Sequence, residues 1–346
     1  MKELKYYVYK IIKEVAWEMI RFGIVGTNNI TTWFLEGASL VKDFKLTAVY
    51  SRTEEKAKEF ANKYGVENTF TSLEEMAKSD LIDAVYIASP NRLHAEQAIL
   101  FMNNGKHVLG EKAFASNAKE VNEMIEAAKK NNVVLMEAMK TTLMPNFKAA
   151  MENINKLGKV RRYFASFCQY SSRYDKYKEG MVLNAFNPEL SNGSLMDIGV
   201  YTIAPMVALF GKPNEVKASS YMLESGADGE GTIIFKYDDM EASVIYSKIS
   251  NSHLPTEIQG EEGTMVIDRV NTMGSVKIIY RDGRVEDLSR YQEQHNMCYE
   301  IEEFINIIQN EEKESKINSL EFSKNVMEIM DEARRQIGLV YPADKN

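Results

Sequence analysis

The chain has 346 residues, of which 45% are apolar and 27% charged, and a formal net charge of −8. That length allows two domains with a core each, and the composition is ordinary for a globular protein. The acidic balance argues against a nucleic-acid binder, which presents a basic face. Two cysteines, Cys168 and Cys298, make no disulfide framework, and no uninterrupted apolar run reaches the length of a bilayer span. Lys5, Lys10, Lys13 and Glu14 break the apolar core that a signal peptide needs. A cytoplasmic location is therefore expected.

The segment Met19-Ile20-Arg21-Phe22-Gly23-Ile24-Val25-Gly26 reads as the natural start of the fold. Residues 1–18 form an N-terminal extension, expected to be a mis-assigned start or a loose helical segment; an arm gripping a partner subunit is the competing reading. From Met19 to about Lys140, strands and helices alternate. Leu46–Ser51 is a second strand, and Thr53 opens a helix whose apolar positions Ala57, Phe60, Ala61 and Tyr64 follow the 3.6-residue period. Ser72-Leu73-Glu74-Glu75 has capping-box spacing. Ala84–Ser89, Lys106–Lys112 and Val133–Ala138 are further strands, with a helix carrying Val121, Met124, Ile125 and Ala128 between the last two. Such alternation predicts a doubly wound parallel sheet over residues 19–140.

After Pro145 the pattern changes. Helical stretches at about Asn146–Lys156 and Ser194–Phe210 are mixed with strand candidates Val160–Tyr170, Glu215–Leu223, Gly231–Tyr237, Glu241–Ile249, Thr264–Asp268 and Ser275–Tyr280. Turns at Asp238-Asp239 and Asp282-Gly283 are short enough for antiparallel pairing. Two helices close the chain, one built on Met297, Ile301, Phe304, Ile305 and Ile308, the other over Ser319–Ile337. Residues 141–346 are thus expected to form a second, α+β domain with a large, open, mostly antiparallel sheet.

Four segments carry chemistry. The glycine turn from Gly23 to Asn29 joins a strand to a helix, as where main-chain N–H groups meet a pyrophosphate. Gly26 keeps the first fingerprint position, Asn28 takes the second and Thr31 the third; Gly26, Thr27, Asn28, Asn29 and Ile30 are the expected cradle. At the end of the second strand, Tyr50-Ser51-Arg52 lacks the acid that usually meets the ribose hydroxyls of NAD. An arginine there can pair with a 2′-phosphate, aided by Ser51; a solvated arginine opening a helix is the competing reading. Ser89, Pro90, Asn91 and His94 follow the fourth strand, where Asn91 can bond ribose or backbone and His94 can start a helix near the cofactor. The run Lys106–Lys112 ends in Glu111 and Lys112, at a strand end where ligands of open parallel sheets bind. Asp197 and Tyr201, four residues apart, share one helical face, and a lysine beside a tyrosine lowers its pKa. His94, His107, His253 and His295 show no metal-ligand spacing, so no metal is expected.

Taken together, Phe22–Thr27, Ser51-Arg52, Ser89–His94, Gly110-Glu111-Lys112, Met136–Met139, Asn187–Leu190 and Asp197–Tyr201 stand in an order and spacing that resemble the Gfo/Idh/MocA oxidoreductase family. The resemblance covers nearly all of Met19–Pro342. It implies a Rossmann domain followed by one with a large one-sided sheet, and pairing of subunits through that sheet. Tyrosine at 201, where many members have histidine, resembles the branch with dimeric dihydrodiol dehydrogenase, glucose-fructose oxidoreductase and some xylose dehydrogenases. That likeness makes Lys112 and Tyr201 the catalytic pair, with Asp197 orienting the pair or the substrate. Asn28, Ala113 and Lys140-Thr141-Thr142 depart from the family pattern.

The expected function is an NADP(H)-preferring oxidoreductase, with NAD(H) possible, that moves a hydride between nicotinamide and a hydroxyl or carbonyl carbon of a sugar, polyol or related compound. Its partners are a small-molecule substrate and a second copy of the chain, as a homodimer or dimer of dimers, with no nucleic acid or membrane. Two other readings compete. A non-catalytic dinucleotide sensor fits the altered turn at Asn28, but intact Lys112 and Tyr201 argue against it. An NAD-dependent glycosidase of the same family would release free sugar without net cofactor turnover.

Overall fold

The computed structural model of the protein describes residues 19–345; the extension assigned to residues 1–18 lies outside them. Its first sheet contains β1 (Ile20–Val25), β2 (Phe44–Tyr50), β3 (Asn68–Phe70), β4 (Ala84–Ile87), β5 (His107–Glu111) and β6 (Leu135–Ala138). All neighbours are parallel, in the order β3-β2-β1-β4-β5-β6. The chain turns from one side of the sheet to the other between β1 and β4, which opens a crevice at their carboxyl ends. β4 is buried at every residue, as expected of a parallel strand covered on both faces.

Helices α1 (Asn29–Ala38), α2 (Glu54–Lys63), α3 (Leu73–Lys78), α4 (His94–Asn103) and α5 (Ala118–Asn131) make the crossovers. Ser72 Oγ caps α3 by accepting from Glu75 N at 3.2 Å, and it donates to Glu74 rather than receiving Glu75 in a full capping box. Asn117 caps α5 through Glu120 N at 2.9 Å.

The second sheet holds β7 (Val160–Cys168), β8 (Glu215–Met222), β9 (Asp228–Lys236), β10 (Glu241–Ser247), β11 (Thr256–Gly260), β12 (Gly263–Ile267), β13 (Val276–Tyr280) and β14 (Val285–Asp287). Its order is β14-β13-β12-β11-β7-β10-β9-β8, antiparallel throughout except for the central β7–β10 pair. The inward residues of this sheet, such as Tyr163, Ile233, Val244, Ile258 and Met265, join one core with α8 (Val200–Phe210) and α10 (Leu320–Ile337). At the β8 edge, Gln336 of α10 bonds Val216 O and Ala218 N, both at 2.8 Å, which covers polar groups that a free edge would leave open. The opposite face carries the alternate residues, and no helix among the described residues covers it.

The remaining helices are α6 (Pro145–Asn153), α7 (Ser172–Lys178) and α9 (Cys298–Gln309). Although α9 follows the second sheet in sequence, it packs on the first, where Ile301 and Phe304 meet Phe22, Phe34 and Tyr86. Gly37 of α1 permits this contact, since a Cβ there would lie 2.8 Å from Cys298 N. The helix expected over Ser194–Phe210 is divided into a π-helical turn, Leu195–Gly199, and α8.

Candidate active site

The strand-end crevice begins at Gly26. Its φ is +110°, and a Cβ would lie 2.8 Å from Ala88 O, so only glycine lets β1 and β4 approach here. Asn28 then acts as the cap of α1, with Oδ1 accepting from Ile30 N and Thr31 N at 3.1 and 3.3 Å and Nδ2 donating to Ala88 O. Thr31, buried at the third fingerprint position, returns its hydroxyl to Gly26 O at 2.9 Å. These two polar side chains hold the turn that glycines elsewhere merely permit.

The consequence is a division of the turn's donors. Ile30 N is satisfied by Asn28, while the N–H groups of Thr27, Asn28 and Asn29 have no partner among the described residues. They stand at the positive end of a helix whose first turn carries no acid. Ser51 and Arg52 leave β2 beside the same turn, because Tyr50 pairs with Val25; Ser51 is buried and Arg52 is exposed. A phosphate-bearing dinucleotide fits this arrangement.

Around the next strand ends the side chains tie the crevice together. Asn91 Nδ2 donates to Ser191 O at 2.9 Å, bridging to the chain that leads into the π turn. Ser89 Oγ donates to Gln97. His94 is buried at the start of α4, its ring nitrogens 2.8 Å from Ser89 O and 3.0 Å from Ala113 O. Burial, reinforced by the Lys112 charge, holds its pKa below the ordinary histidine value, so His94 is a neutral tie between the ends of β4 and β5.

Lys112 extends from the end of β5 across the crevice. Its Nζ donates to Asp197 O at 2.8 Å and Asp197 Oδ1 at 3.0 Å, and lies 5.1 Å from the centre of the Tyr201 ring. The expected trio therefore meets, although Asp197 projects from the π turn and Tyr201 from the first turn of α8. Leu195 N, which opens the π turn, is held by Asp228 Oδ2 at 2.7 Å. Tyr201 packs edge-on against Phe167, and its hydroxyl has no hydrogen-bond partner among the described residues.

A fourth member was not anticipated. Lys248, directly after β10, pairs with Asp197 Oδ2. The signal was present in the strand's alternation, because Ala242, Val244 and Tyr246 point inward and Lys248 continues that parity. Burial would push Asp197 up, yet Lys112 and Lys248 hold its carboxyl well below the usual range. Burial would pull Lys112 down, but Asp197, Tyr201 and Glu111 keep it above the ordinary lysine value.

The tyrosine departs from expectation. Lys112 does pull its pKa down, but burial outweighs that pull, and Glu111, Glu300 and Asp197 add to the rise. Tyr201 is thus protonated at rest, rather than poised near neutrality.

Behind Lys112 lies a buried acidic group. Glu111 accepts from Tyr86 Oη at 2.5 Å and from Lys112 N at 3.2 Å. Glu300 of α9 is fully buried with neither oxygen bonded, and burial together with the Glu111 charge raises its pKa. The 3.6-residue period was the available signal, because Glu300 is three residues after Met297 and four before Phe304, on the buried stripe of α9.

Comparison with known proteins shows the family and the fold. Residues 20–139 match the family described as oxidoreductase family, NAD-binding Rossmann fold, and residues 149–266 match the GFO/IDH/MocA C-terminal domain. The scyllo-inositol 2-dehydrogenase (NADP(+)) IolU of Bacillus subtilis (strain 168) is 60% identical over 327 residues, which is 94% of this chain and 100% of that protein. The trans-1,2-dihydrobenzene-1,2-diol dehydrogenase of Xenopus tropicalis is 31% identical over 93% of this chain and 99% of its own. An aldose-aldose oxidoreductase from Caulobacter crescentus superposes with a TM-score of 0.82 at 19% identity, covering 92% of this chain and 97% of that one; that likeness is one of fold.

Proposed function

We propose a substrate and a division of labour for this chain, which belongs to the Gfo/Idh/MocA oxidoreductase family. It is an NAD(P)-dependent oxidoreductase that acts on a CH–OH group of a sugar, polyol or related small molecule. Within that class we assign a cyclic polyol of the inositol type, with NADP(H) as the preferred cofactor. The observation that carries the reading is the convergence of Lys112, Asp197 and Tyr201 at the strand-end crevice, in a chain so similar to an inositol dehydrogenase.

The unpaired N–H groups of Thr27, Asn28 and Asn29 are the donors for the pyrophosphate, and Arg52 is the partner for a 2′-phosphate. A bound NADP(H) would supply or take up the hydride at the substrate carbon. Lys112, anchored twice on Asp197, has one N–H left, and this donor holds the substrate oxygen. Tyr201 Oη, without a hydrogen-bond partner among the described residues, exchanges the proton. In the reductive direction the protonated tyrosine gives its proton to the substrate oxygen as hydride reaches the carbon. In the oxidative direction Tyr201 must first release that proton, so oxidation gains with rising pH.

For assembly we assign a homodimer, or a dimer of dimers, formed through the open face of the second sheet. The register places Phe164, Tyr221, Ile234, Val266, Ile279 and Val285 on that face. The same register interleaves them with polar residues such as Arg162, Lys217, Ser243, Glu257 and Lys277, so the face is mixed, and its large exposed apolar side chains are what a second copy would cover. No helix among the described residues is long and apolar enough to cross a membrane; the free cysteines support the cytoplasm as its compartment. The test of the substrate is a panel of inositols, aldoses and acyclic polyols with NADP+, followed by NADPH absorbance. Fastest turnover on scyllo-inositol is expected, and preference for an aldose would overturn the assignment.

A further inference from the structure

Lys248 has unused hydrogen-bonding capacity in a place where water is scarce. Its side chain is only 5% exposed, and among the described residues Nζ has one acceptor, Asp197 Oδ2. The Phe186 ring covers one side of the ammonium, 5.7 Å from its centroid. An ammonium has three donors, so two N–H groups remain without an acceptor among the described residues. A buried charged donor left unsatisfied is costly.

The position of those donors is informative. Asp197 offers one carboxylate oxygen to Lys112 and the other to Lys248, so the two ammonium groups flank a single carboxylate. Lys112 belongs to the reacting oxygen under the reading above. The second ammonium therefore stands beside the first across one carboxylate, on the side where a substituent next to the reacting oxygen would lie. Both lysines are fixed by the same anion, so the spacing is rigid.

We propose that Lys248 is a substrate-binding residue that holds the hydroxyl adjacent to the one being oxidised, so that the row Lys112–Asp197–Lys248 recognises a vicinal diol. This rests on the polyol reading and narrows it: the substrate must present neighbouring oxygens, and an isolated alcohol would leave Lys248 unsatisfied. A purely structural lysine would instead neutralise Asp197 and treat all substrates alike.

The test uses Lys248→Met in the full-length protein, with reduction by NADPH of 2-hydroxycyclohexanone and 4-hydroxycyclohexanone. The ketone fixes the reacting carbon, and only the first compound places a hydroxyl beside it. The unaltered enzyme should prefer the 2-hydroxy compound in kcat/KM by on the order of ten-fold or more, the scale of a hydrogen bond to a charged group. In Lys248→Met that preference should vanish, the KM for scyllo-inositol should rise by about the same factor, and NADPH affinity should stay unchanged. An equal loss for both ketones, or a preference that survives, would overturn the inference while leaving the polyol assignment standing. Failure of the unaltered enzyme on scyllo-inositol and both ketones would overturn the polyol assignment, and this inference with it. If Lys248→Met does not fold, Lys248→Gln carries the test, since its shorter amide can face Asp197 without reaching the second hydroxyl.

Discussion

Lys112 and Asp197 are joined twice, through the aspartate's main-chain oxygen at 2.8 Å and its carboxylate at 3.0 Å. Two bonds to one residue fix both the place and the rotation of the ammonium, so its last donor has one direction left. Asp197 is itself held between two lysines, which makes it an anchor rather than a proton carrier.

Removing that anchor should be expensive. Asp197→Ala leaves Lys112 and Lys248 without their shared anion, and breaking a buried pair typically costs about 3–5 kcal/mol. The sign with pH follows from the depressed carboxyl. Its contribution is present above the unfolded aspartate value of about 3.9 and is lost as pH falls toward the lower folded value. Denaturant melts of both proteins should therefore differ by a constant amount from about pH 5 to 8 and converge in strong acid. A difference below about 0.5 kcal/mol at neutral pH would contradict the anchor role.

Glu137 should behave in the opposite sense. Burial, with a contribution from the Glu111 charge, pushes it up to about 7. The folded state thus keeps a proton that the unfolded chain has released, and stability falls as pH rises from about 4.3 to 7. Glu137→Gln should remove that slope, making the variant more stable near pH 8 by roughly 3 kcal/mol and little changed near pH 4. Parallel stability–pH curves for the two proteins would rule this out.

Arg52 should distinguish the cofactors. A guanidinium–phosphate contact is worth roughly 1.5–3 kcal/mol, so Arg52→Ala should weaken NADPH by about ten-fold or more and leave NADH almost unchanged. Fluorescence titration of both cofactors measures this directly. Equal weakening of the two would remove Arg52 from the 2′-phosphate.

Much of this was legible in the sequence because it follows from periodicity. Strand–helix alternation up to Lys140 gives the parallel sheet, and the inward alternation of β7 and β10 gives the second core. The meeting of Lys112 with Asp197 and Tyr201 was carried by motif order. Other features were hidden, among them the short strands β3, β11 and β14 and the buried Glu300. The π turn at Leu195–Gly199 depends on Asp228, distant in sequence, holding Leu195 N. Lys248 reads as a surface lysine unless strand parity is followed one residue past the apolar run. The raised pKa of Tyr201 comes from burial and from Glu111, Glu300 and Asp197 acting together, a sum that no local spacing encodes.

The open sheet face gives a prediction about assembly. Ile234 lies near the middle of β9 and is half exposed. The unaltered chain should have dimeric or larger mass by light scattering at micromolar concentration, and Ile234→Glu, which replaces an exposed apolar side chain of that face by a charge, should shift it toward monomer. A monomeric unaltered chain would contradict the assembly.

The central claim is that Lys112 and Tyr201 act on one substrate oxygen. The most direct measurement is a double-mutant cycle on scyllo-inositol turnover with Lys112→Ala, Tyr201→Phe and the pair. Tyr201→Phe keeps the ring over the lysine and removes the proton, so kcat should fall by about 10²–10⁴-fold with NADPH affinity unchanged. Lys112→Ala should be at least as damaging, and the double variant little worse than Lys112→Ala alone, because residues acting as a unit are not additive. Near-normal turnover by Tyr201→Phe, or fully additive losses in the cycle, would contradict the account.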